Sequence, residues 1–322
     1  MLDPARTVVI ANPAAAGGRV GQRWEHLVEQ VHRALGPVSL RRTERAGHGI
    51  ELAAQAVAEG ATDLLSMGGD GTHNEVINGI MTAGPAPGAV TLGVLPAGTG
   101  GDFRRVLAHA HSLEDALAHL ATASAHTIDL GRCTYTGDDG RPGQRWFVNI
   151  ASCGISGLVC RIANASSKRL GGKATFYLST LRAMAAYRAS PVRVVVDGRA
   201  VGEHRITSLQ ACNARFAGGG MMFAPDALLD DGLLDLVILE DPGLVRTLAM
   251  TGSIYEGTHV RLPHVHVHRG RRIEVEPLDA QRPAWVDIDG EAPGTAPTTF
   301  EIVPGAIRLR DARPQVLGRS AE

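Results

Sequence analysis

The sequence predicts two domains of different kinds: an α/β N-terminal domain with a mainly parallel sheet, and a C-terminal domain that is a mainly antiparallel β-sandwich. Three observations predict this. Two units of apolar strand, glycine-rich turn and helix follow one another, at Asp63–Asn78 and Leu92–Arg105. Near Thr127-Ile128-Asp129-Leu130-Gly131 the alternation of strands with helices stops, and short strands then succeed one another with few helices between them. At 322 residues the chain has room for two hydrophobic cores. The expected boundaries are 1–130 and 131–303.

Taken in order, Thr7–Ala11 is a β-branched apolar strand, and Asn12-Pro13-Ala14-Ala15-Ala16-Gly17-Gly18-Arg19 a turn. A helix follows through Trp24, Leu27, Val28, Val31 and Leu35, spaced at a helical period. Val38–Arg42 is a short strand and Gly49–Glu59 a helix with an alanine-rich face. The two glycine-turn units come next, then a helix over Ser112–Ala123 with Ser112 as N-cap and Asp115 three residues on. Strands alternating with helices imply βαβ crossovers and a covered parallel sheet. Beyond residue 131 the strands are Arg145–Ile150, Val192–Val196, Arg205–Ala211, Leu234–Leu239, Val265–His268, Arg272–Glu276, Ala284–Ile288 and Thr298–Ile302. Such a series reads as an antiparallel sandwich or a partly closed barrel. Two helices interrupt it, at Ala174–Tyr187 and Leu244–Ser253.

The chemistry concentrates at the first glycine turn, Gly68-Gly69-Asp70-Gly71-Thr72. A strand-to-helix turn aims backbone N–H groups at an anion, and glycines let the backbone approach it closely. A carboxylate at the same place repels a phosphate unless a divalent cation lies between them, so Asp70 points to a nucleotide–Mg²⁺ site. The plain alternative is a glycine turn with Asp70 as a helix cap. The second turn, Gly98-Thr99-Gly100-Gly101-Asp102, repeats the logic, and both would open at the carboxyl ends of neighbouring strands. Asp289-Gly290-Glu291 offers two carboxylates that would share a face of an extended backbone, or else forms a surface hairpin turn. Asp230-Asp231-Gly232-Leu233-Leu234-Asp235 gathers oxygens suited to a hard cation, or is a solvated acidic turn. His264, His266 and His268 alternate along one strand without a further ligand spaced to complete a zinc site.

Gly68-Gly69-Asp70-Gly71-Thr72 followed by Asn74-Glu75-Val76 resembles the signature of the diacylglycerol kinase catalytic domain, as found in bacterial soluble lipid kinases. Gly218-Gly219-Gly220-Met221, Ala224-Pro225, Asp231-Gly232-Leu233-Leu234-Asp235, Gly257-Thr258-His259 and Asp289-Gly290-Glu291 are similar to further landmarks of that family, in the same order. The resemblance implies a nucleotide-binding N-terminal domain onto which residues 304–322 pack back, and a C-terminal lipid-substrate domain. It implies ATP and Mg²⁺ as cofactors, with the nucleotide in an interdomain cleft on Asn12, Gly68, Gly69, Gly71, Thr72, Gly98, Thr99 and Gly100. Asp70, Asp102 and Asp129 would form a water-mediated network around Mg²⁺, and Asp289, with Glu291 beside it, would be the general base. Asp231, Asp235 and the Leu233 carbonyl would hold a second, structural metal. Glu75 would cap its own helix or touch the ribose. Gly101 departs from the pattern, standing where most members carry Asn before Asp-Phe.

The composition excludes several other classes. A net charge of −1 gives no field for nucleic acid, and no apolar run reaches the roughly 18–20 residues of a membrane span. Four scattered cysteines make neither a disulfide framework nor a zinc knuckle, and the N-terminus reaches a strand at once, which together suit a cytoplasmic protein. There is no Walker A motif and no complete dinucleotide fingerprint. The expected partners are ATP and a lipid at a membrane surface, for which the basic stretch Lys168-Arg169…Lys173 before an apolar helix offers peripheral contact. A homodimer is left open. The alternatives are an NAD kinase-like enzyme, because NAD kinases share the glycine turn, and a catalytically weak lipid-binding or regulatory protein.

Overall fold

A computed structural model describes residues 2–97, 101–107, 112–166 and 172–318. The chain divides into two compact units, Met1–Leu130 with Leu229–Asp231 and Pro304–Glu322, and Gly131–Leu228 with Gly232–Val303. Leu229–Asp231, expected in the second domain from sequence, groups with the first.

The first unit is mixed α/β. Its elements are β1 (Thr7–Ala11), α1 (Arg19–Gln22), α2 (Trp24–Leu35), β2 (Ser39–Arg42), α3 (His48–Ala58), β3 (Asp63–Gly68), α4 (Asp70–Ala83), β4 (Thr91–Pro96), α5 (Leu113–Thr122) and the start of β5 (Ala125–Gly137). β1 pairs in parallel with β2 and with β3, and β3 pairs in parallel with β4. β2 is mostly polar and partly exposed. β1, β3 and β4 are mostly apolar because helices cover them: Val9, Leu65, Met67 and Leu95 pack against Leu27, Val31 and Leu35 of α2 and Leu117 and Leu120 of α5. Each such side chain withdrawn from water contributes roughly 1.5–3 kcal/mol. Ser112 caps α5, its hydroxyl accepting the Asp115 N–H at 3.0 Å. The short helix expected after the second glycine turn is a 3-10 turn, Phe103–Val106.

The chain returns to this unit at its end. Arg308 and Leu309 pair in parallel with Thr91 and Leu92 of β4. Arg310 is buried and joins Asp63 in an ion pair at 2.5 Å, while donating to the Ala123 carbonyl at 2.9 Å. Breaking a buried pair of this kind by removing one partner typically costs about 3–5 kcal/mol.

The second unit is antiparallel. Its elements are β6 (Pro142–Phe147), β7 (Ile150–Gly154), α6 (Ile155–Ala165), α7 (Gly172–Ala186), β8 (Ser190–Val196), β9 (Arg199–Cys212), the two-residue strands β10 (Phe216–Ala217) and β11 (Met221–Met222), β12 (Leu234–Glu240), α8 (Leu244–Tyr255), β13 (Val265–Gly270), β14 (Arg272–Pro277), β15 (Trp285–Ile288) and β16 (Glu291–Arg310). The pairings close a circuit, β9–β7–β15–β16–β14–β8–β9. The long strands β9 and β16 each take part at two places, so the two layers are joined through both of them. Phe147, Leu209, Leu236, Val286 and Phe300 fill the interior. β12 and the edge strand β13 extend the layer beyond β9.

The single strand expected over Arg145–Ile150 is two strands, β6 and β7. α6 was not foreseen. Its register depends on Gly157, where a Cβ would lie 2.4 Å from the Trp285 carbonyl oxygen, and a tertiary contact of that kind leaves no periodic signal. All four cysteines are buried and free, and burial pushes the Cys133 thiol up to about 12. Among the described residues, no helix is long and apolar enough to cross a membrane.

Candidate active site

In the first unit the glycine turn joins β3 to α4. Gly68 packs directly under Thr72: a Cβ there would lie 2.4 Å from the Thr72 hydroxyl oxygen. That hydroxyl accepts a hydrogen bond from the Asn12 side-chain amide at 3.2 Å, tying the turn after β1 to the start of α4. Asn12 Oδ1 in turn accepts the Ala14 N–H at 2.9 Å. Asp70 is the first residue of α4, and its carboxylate accepts the N–H of Asp102 at 2.9 Å and of Phe103 at 3.4 Å. The two glycine turns are thereby joined through Asp70. A Cβ at Gly101 would sit 3.1 Å from Asp70 Oδ1, a close contact that a small shift of that carboxylate would relieve.

Glu75 neither caps its own helix nor lies free. Its two oxygens accept the N–H groups of Gly47 and Gly49 at 2.8 and 2.9 Å, so it closes the N-terminus of α3. The same close approach of α3 to α4 explains Gly79, where a Cβ would meet the Ile50 carbonyl oxygen at 2.3 Å. Asp102 is buried, makes no side-chain cap and pairs with Arg105 at 3.4 Å. Asp129 is buried and accepts the Gly305 N–H at 2.8 Å. Asp70, Asp102 and Asp129 are not brought into one group of converging ligand atoms. Gly98, Thr99 and Gly100 lie outside the described residues, as do Lys168 and Arg169.

In the second unit Asp289 and Gly290 are the two turn residues of the β15–β16 hairpin, with φ of 49° and 93°. Positive φ at both positions is what a tight two-residue hairpin needs, and Asp-Gly suits it. The expectation that Asp289 and Glu291 share a face of an extended backbone is therefore corrected. The turn rotates Asp289 away, while Glu291 opens β16 opposite Ile288. The Asp289 carboxylate accepts three successive backbone N–H groups, from Val148 (3.0 Å), Asn149 (3.2 Å) and Ile150 (3.0 Å). Hydrogen bonds to an ionised acceptor are among the stronger ones, so these fix the carboxylate.

Two residues away, Asp287 carries a signal that the sequence reading missed. It lies in the wall of a cavity of about 210 Å³, which is lined mainly by apolar side chains such as Val159, Met184, Met221, Phe223, Met250 and Ile254. Burial, with the nearby Asp289 charge, pushes its carboxyl up to about 7 against a partly offsetting hydrogen bond from the Gly290 N–H at 2.8 Å. A chain of polar groups leads off from it: Ser152 donates to Asp287 at 3.5 Å, and the Ser152 and Ser156 hydroxyls are 2.6 Å apart. Ser156 lies 3.3 Å from Ser208, which accepts from Gln210 at 2.7 Å. The loop at Gly218, Gly219 and Gly220, all at positive φ, turns the β10–β11 hairpin over this cavity.

Residues 6–133 match the family profile described as diacylglycerol kinase catalytic domain, and residues 149–310 match the YegS C-terminal NAD kinase beta sandwich-like domain. The chain belongs to this two-domain diacylglycerol kinase family. It is accordingly a lipid kinase. It is similar to a diacylglycerol kinase from Mycobacterium tuberculosis (strain ATCC 25618 / H37Rv), at 28% identity over 306 residues and 94% of each chain. It is similar also to one from Bacillus subtilis (strain 168), at 28% over 299 residues and 92% of each chain. A crystal structure of a diacylglycerol kinase from Bacillus anthracis str. Sterne superposes with a TM-score of 0.69 at 19% identity, covering 97% of this chain and 98% of that one. A second structure from the same organism reaches 0.75 at 22% identity with the same coverage. At such identities the likeness establishes the fold.

In the second unit of this lipid kinase, Asp235 faces Arg269, with 3.1 Å between Arg269 Nε and Asp235 Oδ1. An arginine on the carboxylate competes with a cation, so Asp235 is a poor fit to a metal in this arrangement. In the first unit, Asp230 Oδ1 accepts the Gly318 N–H at 2.5 Å, and Asp231 is partly exposed. In the signature helix, His73 is buried against Ser66 at 2.7 Å, and burial brings its pKa down to about 4.

Proposed function

We propose that this lipid kinase transfers the γ-phosphoryl group of ATP, with Mg²⁺, to a hydroxyl of a diacylglycerol- or sphingoid-like lipid. The observation that carries the reading is the Asp70 turn, in which a helix N-terminus, the closely packed Gly68 and a fixed carboxylate converge at the end of β3. Phosphate oxygens would take the backbone N–H groups of Gly69 and Gly71 and the hydroxyl of Thr72, with Asn12 holding that hydroxyl in place. The carboxylate oxygens of Asp70 are the hard donors that Mg²⁺ prefers, so this residue fits the ion, whereas Asp102 would have to give up Arg105, 3.4 Å away, to join it. Bound there, Mg²⁺ would offset charge on the transferring phosphoryl group. Asp289, held by three backbone donors, would accept the proton of the attacking lipid hydroxyl, a role worth about 10²–10⁴ in rate.

The lipid would seat its chain in the cavity of the second unit and its polar head against Asp287 and the Ser152–Ser156–Ser208 hydroxyls. Met221 and Phe223 line that cavity. Helices α7 and α8, which flank it, expose Tyr177, Leu178, Leu181 and Tyr255, and such residues suit contact with a membrane surface. Purified protein incubated with labelled ATP, Mg²⁺ and a lipid panel beside NAD tests the reading. Label in the organic phase supports it. Label on NAD would support a soluble-nucleotide kinase, a reading motivated by the NAD kinase-like description of the second domain. Lipid binding without transfer would overturn the proposed chemistry.

A further inference from the structure

We propose that His204, Glu240 and His266 form a site for one zinc-class divalent cation, unrelated to the carboxylates that would serve phosphoryl transfer. The three residues come from three neighbouring strands, β9, β12 and β13. His266 stands opposite Ile238 on β13, His204 stands opposite Val192 on β9, and Glu240 ends β12 after a shift in register. One ligand atom from each lies within 4.8 Å of the other two, and no other set of three His, Cys, Asp or Glu side chains does so among the described residues.

The spacing is that of a metal centre. Ligand atoms about 2.1 Å from a tetrahedral zinc are roughly 3.4 Å from one another. Here His204 Nδ1 lies 2.8 Å from Glu240 Oε1, and His266 Nε2 lies 3.3 Å from Glu240 Oε2. The imidazole centroids are 5.2 Å apart and tilted by 47°, so the rings do not stack. His204 is nine-tenths buried with its Nδ1 turned to Glu240, so the nitrogen that would ligate is held in place by the fold. His266 Nε2 faces the second oxygen of the same carboxylate.

The donor set selects the ion. Two imidazoles and a carboxylate suit zinc and its neighbours, whereas Mg²⁺ wants an octahedron of oxygens. Three protein ligands leave a fourth position for water, and Glu240 and His266 keep partial exposure, 34% and 37%. Among the described residues β13 pairs with β12 alone, so a cation held across β9, β12 and β13 would staple the sheet at its edge.

The test uses the untagged full chain, stripped with a chelator and kept in excess Mg²⁺, titrated with Zn²⁺ by calorimetry and melted with and without it. The expected result is one zinc per chain and a higher Tm with zinc. The His204→Ala/His266→Ala double variant should lose that binding. Glu240→Gln, which keeps the shape and a hydrogen-bond acceptor for His204, should weaken it by at least about tenfold, since even outer partners of a metal site are worth 10–100-fold. Apo melting curves establish that each variant is folded. If the double variant fails to fold, Glu240→Gln alone decides. Absence of saturable zinc binding in the wild type, or unchanged binding in the folded variants, overturns the proposal.

Discussion

Asp70 and Asp289 are held in the same manner by very different means. Each carboxylate is fixed by backbone N–H groups: Asp70 by two from the next glycine turn, 32 residues on, and Asp289 by three from a segment about 140 residues earlier. Asp70 begins a helix, whereas Asp289 sits at φ 49°, a conformation that Asp tolerates better than most residues. The difference teaches that a carboxylate with a proposed chemical role also secures the backbone around it. Loss of activity on substitution therefore does not by itself identify the chemistry.

The sharpest way to break the comparison is Asp289→Asn. An amide cannot accept all three donors, so at least one enclosed N–H loses its partner, and stability should fall by about 1–3 kcal/mol in urea melts. Turnover should fall by about 10²–10⁴ if Asp289 is the base. A variant with the lower stability but near-normal turnover would make Asp289 purely a clamp. Asp70→Asn should behave differently. Asn keeps an oxygen for the Asp102 N–H, so the melt should shift by less than about 1 kcal/mol. Activity should drop with a raised Mg²⁺ requirement, and an unchanged Mg²⁺ dependence would remove Asp70 from the metal.

Glu75→Gln tests a carboxylate with a structural task alone. It should lose about 1 kcal/mol by weakening the closure of α3, while the KM for ATP stays unchanged; a raised KM would return Glu75 to the ribose. His73 supplies a pH test of the same helix. Its folded pKa of about 4 lies below the ordinary 6.5, so above pH 6.5 neither folded nor unfolded chain carries the proton. Between 6.5 and about 4 the unfolded chain takes it up first, and stability should fall by as much as about 3 kcal/mol as the pH drops. His73→Gln should flatten that slope. Asp287 works with the opposite sign. Its carboxyl is raised from 3.8 to about 7, which disfavours the fold progressively as pH rises across that window. Asp287→Asn should therefore be modestly more stable than wild type at pH 8 and indistinguishable near pH 3.5.

Much of this was legible in the residues. The Asp70 turn could be read because strand, glycines, carboxylate and helix are contiguous, and Ser112 because a cap bonds within four residues. The Asp289-Gly290 hairpin was foreseen only as the plain alternative to a shared face, since one dipeptide serves both. What stayed hidden depends on distant partners. Glu75 reaches another helix, Asp287 owes its raised pKa to burial created by the fold, and His266 finds its companions on β9 and β12 rather than in the adjacent His264 and His268. Alternation tells which face a strand residue occupies, but not which strand will lie beside it.

The last strand carries a consequence for synthesis. β4 has an open edge until Arg308 and Leu309 lie along it, and Asp63 has no cation until Arg310 is made. A nascent chain that has released only its first 130 residues therefore displays an unpaired parallel edge and a lone buried acid throughout translation of the whole antiparallel unit. The half encoded first is the half completed last.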